Sequence, residues 1–224
     1  MQFCAASDQS LLVYLGNDIG QAAHEKVLHL VHAIESTAPK WLSNLQPAYC
    51  SVLVSFDLGR ATHRDVEVFV RSLAEASNSG FPVPSSTVEI PVCYGGEFGP
   101  DLEEAASLLS LLPERIVQLH AATLYRAYFL GFAPGFAYLG DLPSELELPR
   151  LSTPRKKIPS GSVAIAGKQT GVYPFATPGG WRLIGRTPLT MFQPEGEPMG
   201  LIAIGDHVLF RSVSREEFLR LERA

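Results

Sequence analysis

Apolar and polar residues alternate along this chain in two different rhythms. In the first part, short aliphatic runs take turns with helical stripes. Residues 10–16, SLLVYLG, make an apolar run closed by Gly16 and read as a strand. Asn17 or Asp18 follows where a helix cap is expected, because either side chain accepts from unpaired first-turn N–H groups. Ile19, Ala23, Val27, Leu30, Val31 and Ile34 recur at helical spacing and predict an amphipathic helix ending before Pro39. Residues 50–57, CSVLVSFD, read as a second strand. Thr62 reads as the cap of a helix with the stripe Val66, Phe69, Val70 and Leu73, and residues 87–94, TVEIPVCY, as a third strand. Strand, helix, strand, helix, strand over about 85 residues predicts a small α/β domain with helices on a sheet.

Residues 77–86, SNSGFPVPSS, are rich in Gly, Pro and Ser and read as a linker, which places the domains at 1–86 and 87–224. Beyond it, residues 100–112 and 113–123 predict two short helices, each opening on Pro and early acids that suit a helix N-terminus. Residues 123–132, TLYRAYFLGF, alternate as a strand does. The rhythm then changes. Gly and Pro recur every few residues among VAIAGKQTGVY, WRLIGRTPLTMF and GLIAIGDHVLFRSV, and helical periodicity returns only at REEFLRLE near the end. Short strands with frequent turns predict a barrel or a sandwich.

Composition adds boundaries. With 46% apolar and 18% charged residues, the 224-residue chain can bury a core, which excludes disorder. No run reaches the roughly 18 apolar residues of a spanning helix, and MQFCAASDQS does not have the form of a secretory signal. Cys4, Cys50 and Cys93 are odd in number and far apart, so reduced thiols and a cytoplasmic location are expected. The net charge of −5 argues against general nucleic-acid binding. Its distribution says more. Between Pro149 and Thr190 stand seven basic residues (Arg150, Arg155, Lys156, Lys157, Lys168, Arg182 and Arg186) and no Asp or Glu. Such a stretch either meets an anion or is a solvated loop paired with acids elsewhere in the fold.

The common catalytic signatures are missing. AGKQTG at 166–171 lacks the spacing and the Ser/Thr of a phosphate loop, since Gln169 follows the lysine. PSGSVAIAG is not a nucleophile elbow. His24, His29 and His32 share a helix without acids at ligand spacing, so no metal is expected.

Three strings, GFAPGFAYLGDLP (131–143), PRLSTPRKKIPSGSVAIAGKQTGVYP (149–174) and TPGGWRLIGRTP (177–188), occur in order after PVCYGGEFGPDLEEAA (91–106). In this the chain resembles the family that comprises the B component of 5-oxoprolinase, allophanate hydrolase subunit 1 and the KipI kinase inhibitor. The resemblance implies an α+β fold: an N-terminal small α/β domain followed by a cyclophilin-like β-barrel. It implies an ATP-dependent complex that opens 5-oxo-L-proline to L-glutamate, in which this chain is inactive alone. Its partners would be a second β-barrel subunit (the C component) and a lactam-hydrolase-like subunit (the A component), with ATP used somewhere in the assembly. Two alternatives travel with the family: a KipI-like inhibitor of sensor histidine kinase autophosphorylation, and a carboxyltransferase component of a urea or allophanate pathway.

The substrate of the first reading is a small carboxylate, so the basic stretch becomes the candidate site. Arg182 and Arg186 can grip a carboxylate or phosphate through two N–H groups each, and Arg155 lies in the same acid-free run. Gly179 and Gly180 would allow positive φ and a close backbone approach, or serve only a hairpin turn. Trp181, Phe132 and Tyr138 would form an apolar wall or belong to the barrel core. Gln169 and Tyr173 offer polar groups to a carbonyl. Arg150 or Arg155 would otherwise latch to Glu145, Glu147 or Asp141. No general base stands out.

Overall fold

The computed structural model describes residues 1–18, 20–76 and 85–223, and its contacts divide the chain into two compact units, Met1–Pro84 and Ser85–Ala224. The linker expected at 77–86 lies largely outside the described residues, as does Ile19.

In the first unit the elements run β1 (Gln2–Ser7), β2 (Ser10–Tyr14), α1 (Gln21–Thr37), β3 (Leu42–Pro47), β4 (Ser51–Phe56) and α2 (His63–Ala76). The sheet order is β1-β2-β4-β3 and every pairing is antiparallel. The expected strand–helix alternation therefore does not build a parallel sheet. Two hairpin partners, β1 and β3, go beyond the sequence pattern: QFCAAS is mostly exposed, and LSNLQP carries Asn and Pro. Strand β4 alternates half-buried with buried positions, so one face packs while the other meets water. Val27, Leu30, Val31 and Ile34 of α1 and Val66 and Val70 of α2 cover Leu11, Val13, Val52, Val54 and Phe56. Neither Asn17 nor Asp18 caps α1; its cap is Gly20, without a side-chain bond. Thr62 does cap α2. Its Oγ1 accepts from Asp65 N–H at 3.3 Å, while Asp65 Oδ2 accepts from Thr62 N–H at 2.9 Å. Two first-turn donors are thus satisfied reciprocally.

The second unit begins with β5 (Thr87–Tyr94), so this strand belongs to the barrel and not to the N-terminal sheet. Helices α3 (Leu102–Leu109) and α4 (Pro113–Ala122) follow, then β6 (Leu124–Leu130), β7 (Ala137–Gly140), β8 (Arg155–Ile158), β9 (Ser162–Ala166), β10 (Gln169–Val172), β11 (Thr177–Gly179), β12 (Arg182–Arg186), β13 (His207–Ser212) and α5 (Arg215–Leu221). Seven strands close in the order β10-β7-β6-β13-β5-β12-β9. Within it β5 and β13 run parallel over six paired positions, and β8 with β11 forms a separate two-stranded ribbon. Closure removes free sheet edges. Leu102, Ala105, Ala106 and Ile116 from the two helices enter the same core as Ile90, Tyr125, Leu139, Ile165 and Phe210.

The run from Gln169 to Arg186 is consequently not one hairpin. Strand β9 lies between β10 and β12, and β11 leaves the barrel to pair with β8. The chain between β10 and β12 therefore crosses the sheet instead of turning back on itself.

Candidate functional site

The residues of the basic, aromatic-rich run do not gather in one place. The first place is an aromatic cluster beside the β8–β11 ribbon. Trp181 and Phe136 are buried, their ring centres 5.6 Å apart and nearly perpendicular. Tyr138 meets Trp181 at 5.7 Å and Tyr173 meets Phe136 at 5.3 Å. Phe132 sits at φ +70° and is 58% exposed, with its ring 6.1 Å from that of Tyr173. Trp181 is thus chiefly core, while Phe132 forms the open lip.

Gly179 explains how Tyr173 fits. A Cβ at 179 would stand 2.5 Å from the Tyr173 hydroxyl and 2.6 Å from Ile158 Cδ1. The glycine is needed for close approach and not for positive φ, which neither Gly179 nor Gly180 adopts. Gly180 is less confined: its carbonyl accepts from Leu151 N–H at 2.8 Å, tying the segment after Arg150 to the ribbon.

Two guanidinium groups attend this hydroxyl. Burial pushes the Tyr173 pKa above its ordinary value; the main-chain N–H of Trp181, then Arg150 and more weakly Arg155 act in the opposite sense. The phenol therefore stays protonated at neutral pH. Arg150 is exposed, its guanidinium 5.9 Å from the Trp181 ring, and no carboxylate among the described residues lies within ion-pair distance of it. Arg155 stands opposite Gly179 across the ribbon and donates through Nη2 to Asp101. Its Nη1 is buried without an acceptor. The latch expected from Glu145, Glu147 or Asp141 is not formed by either arginine. Asp141 instead accepts from Tyr128, and Glu147 lies 4.0 Å from Lys168.

The second place is the end of β12 nearest α3. Arg182 is only 7% exposed; its Nε donates to the Pro149 carbonyl at 3.2 Å and its Nη1 lies 3.0 Å from Glu104 Oε1, without hydrogen-bond alignment. The third is the opposite end of β12, where Arg186 donates through Nε to the Ser160 carbonyl at 2.9 Å and lies 4.0 Å from Glu222. Its guanidinium is 5.9 Å from the Phe218 ring of α5. Arg182 and Arg186 are therefore not a convergent pair of open anion contacts. Each is committed to a carbonyl and an acid of its own chain, because β12 separates them along its length. Gln169 also lies apart, opening β10 directly after the two-residue turn that follows β9.

That turn settles the phosphate-loop question geometrically. Gly167, at φ +56°, and Lys168 join two antiparallel strands. A phosphate loop must lead from a strand into a helix, so this segment does not build one. Among the described residues no group of three His, Cys, Asp or Glu is placed to hold a metal ion. No helix among them is long and apolar enough to cross a membrane.

Sequence reasoning passed over Asp101 and His120, both buried. Asp101 follows Gly99, whose absent Cβ would meet the Ile184 carbonyl at 2.0 Å, so the loop lies flat on β12. Asp101 N–H donates to the Leu183 carbonyl at 2.9 Å, and Asp101 Oδ2 accepts from Leu183 N–H at 2.7 Å. His120 of α4 lies inside the barrel, stacked on Phe210 with ring centres 4.5 Å apart. Its Nε2 is 2.9 Å from Thr170 Oγ1, its Nδ1 is 2.8 Å from the Tyr94 hydroxyl, and Thr170 donates to the Ala164 carbonyl at 3.0 Å. Thr170 spends its proton on Ala164, so His120 must donate from Nε2 and accept at Nδ1 from Tyr94. Burial lowers the His120 pKa to about 3, and the ring is neutral. The only signal in the sequence was a lone His on an otherwise apolar helical face.

A closed barrel that follows an antiparallel α+β unit in the chain, with an aromatic and basic corner, defines the class. Residues 1–202 match the family described as carboxyltransferase domain, subdomain C and D, and the chain belongs to that family. It is 41% identical over 230 residues to the B component of 5-oxoprolinase from Bacillus subtilis (strain 168), covering 94% of this chain and 92% of that one. Among solved structures, TTHA0988 superposes with a TM-score of 0.82 at 33% identity. The match takes in 93% of this chain but 40% of that one. Urea carboxylase of Kluyveromyces lactis shares the fold, with a TM-score of 0.78 at 18% identity over 97% of this chain and 22% of that one.

Proposed function

We propose that the chain is the B component of an ATP-dependent 5-oxoprolinase, inactive alone and acting in the cytoplasm with a second β-barrel protein and a lactam-hydrolase-like protein. The observation that carries this reading is the 41% identity to a 5-oxoprolinase B component along nearly the full length of both chains. The substrate, 5-oxo-L-proline, is a small carboxylate with a lactam carbonyl. The corner formed by Arg150, Arg155 and Tyr173 suits its carboxylate: both guanidiniums act electrostatically on a protonated hydroxyl, and Arg150 has no carboxylate partner among the described residues. The half-buried Tyr138 and the exposed Phe132 would flank the ring of the substrate, and Gly179 keeps the hydroxyl within reach. Arg182 holds the chain just before Arg150 and shapes the corner without touching the substrate.

The Gly167–Lys168 turn does not form a phosphate loop. In this reading the ATP is used within the three-protein assembly. This chain's part is to bind and orient the carboxylate and to donate a hydrogen bond to charge developing on oxygen. Reconstitution with the two partner proteins tests the reading. Glutamate release from 5-oxoproline should require all three chains. Full turnover by the partners without this chain would remove it from the reaction.

A further inference from the structure

Asp101 is bonded to three residues at once. It is 3% exposed, and both of its oxygens are engaged, one by Leu183 N–H and the other by Arg155 Nη2. Its main chain adds to the fixation, since N–H donates to Leu183 and the carbonyl accepts from Ala105 N–H at 2.8 Å in the first turn of α3. The carboxylate therefore cannot follow Arg155 if that side chain moves; Arg155 must stay where Asp101 is fixed. The arginine, by contrast, is left incomplete. It donates one hydrogen bond within the protein, 31% of its side chain is open, and buried Nη1 has no acceptor. Leaving a buried cationic donor unpaired is costly, on the order of 1–3 kcal/mol or more. Such a donor is satisfied by an acceptor from outside the chain, whether water, an ion or a ligand.

We propose that Asp101 is a positioning residue: it fixes the Arg155 guanidinium at the ribbon opposite Gly179 so that its unpaired edge receives the carboxylate of a small ligand. This rests on the functional reading above for the identity of the ligand, 5-oxoproline, but not for the clamp itself. Asp101 also cancels most of the charge of Arg155. Arg155 then acts as a directed hydrogen-bond donor, while exposed Arg150 supplies the net attraction. That division favours a monoanionic carboxylate over inorganic phosphate, because Asp101 offsets the charge of one of the two guanidiniums.

The test uses the full-length chain and the three-protein complex. In the ¹⁵N-labelled chain at low temperature, the Arg155 guanidinium N–H signals should stand apart from the averaged arginine envelope, since the clamp stops rotation. Asp101→Asn should merge them, because the amide turns a donor toward either Leu183 N–H or Arg155. 5-Oxoproline should shift the wild-type Arg155 signals and bind about tenfold more weakly to the variant, the loss of one charge-assisted bond. In the complex, KM should rise about tenfold with kcat within twofold, whereas a purely structural lesion would lower the amount of active complex and leave KM alone. Should Asp101→Asn fail to fold, Arg155→Lys keeps the charge, loses the fork and should show the same loss of affinity. Arg155 signals that stay separate in Asp101→Asn, or unchanged affinity in Arg155→Lys, overturn the proposal. Acetate is the control for the ligand: if it shifts Arg155 in wild type while the complete complex leaves 5-oxoproline intact, the clamp stands and the functional reading falls.

Discussion

Two polar constellations of the barrel unit are finished differently. Around His120 the bonds form a closed chain, from Tyr94 through the imidazole and Thr170 to the Ala164 carbonyl. Tyr125 adds a hydroxyl to the His120 carbonyl at 3.1 Å. Around Tyr173 the groups are of comparable polarity, yet Arg155 keeps an unpaired N–H and Arg150 has no carboxylate partner among the described residues. A satisfied network contributes rigidity and a unique packing, whereas an unfinished one costs stability that only a ligand restores. The number of titratable residues does not separate the two. The accounting of donors and acceptors does.

The sharpest way to break this comparison is His120→Ala. It orphans the Tyr94 and Thr170 hydroxyls and empties the space against Phe210, at a cost of about 3–5 kcal/mol in urea unfolding. A loss below about 1 kcal/mol would mean the chain of bonds is incidental. Acid probes the same network without a cavity. His120 titrates near 3 when folded and near 6.5 when unfolded, so the unfolded state binds the extra proton between those values. Stability should fall as pH drops from about 6.5 toward 3, by up to ~1.4 kcal/mol per unit. Stability curves of wild type and His120→Gln that run parallel across that window would refute the neutral, buried assignment.

On the open side the stability effects shrink and the ligand effects grow. Gly179→Ala drives a methyl group into the Tyr173 hydroxyl and Ile158, and should cost about 1–3 kcal/mol in thermal unfolding. Normal stability there would show that the ribbon can move away and that the corner is not fixed. Arg150→Ala should leave the melting temperature within about 2 °C, since the side chain is exposed, yet weaken 5-oxoproline binding by roughly fivefold in calorimetry. Equal affinity would exclude Arg150 from the site. Smallest of all is Lys168→Ala, which removes a contact of 4.0 Å from a side chain that is 80% exposed. Neither melting temperature nor ligand affinity should change measurably, and a clear effect on either would restore a role for the Gly167–Lys168 turn.

The strands with strong β-branched runs were legible in the sequence, as were α1 to α4, because burial on one face imposes a period that survives without tertiary context. Strands β1 and β3 were not, since their stability comes from pairing with β2 and β4 rather than from their own side chains. In the candidate site, Tyr173, Trp181, Gly179, Phe132, Tyr138 and Arg155 do come together. Arg182 and Arg186 looked alike on paper, with the same charge and only three residues between them, but β12 carries them to opposite ends, each against its own acid. The acid-free stretch misled for the same reason. Asp101, Glu104 and Glu222, distant in sequence, are the acids that meet its arginines.

The sequence by itself determined that this chain begins with alternating strands and helices and continues with a strand-rich, turn-rich remainder, and through its unusual strings it determined the family. Those are properties of local period and of ordered residues, which need no partner to be read. Which arginine stays open was decided only by the tertiary structure. A guanidinium N–H is available to a ligand when no acceptor of its own chain reaches it, and that depends on strand order and on one glycine-flattened loop bringing Asp101 onto β12, where it takes one edge of Arg155.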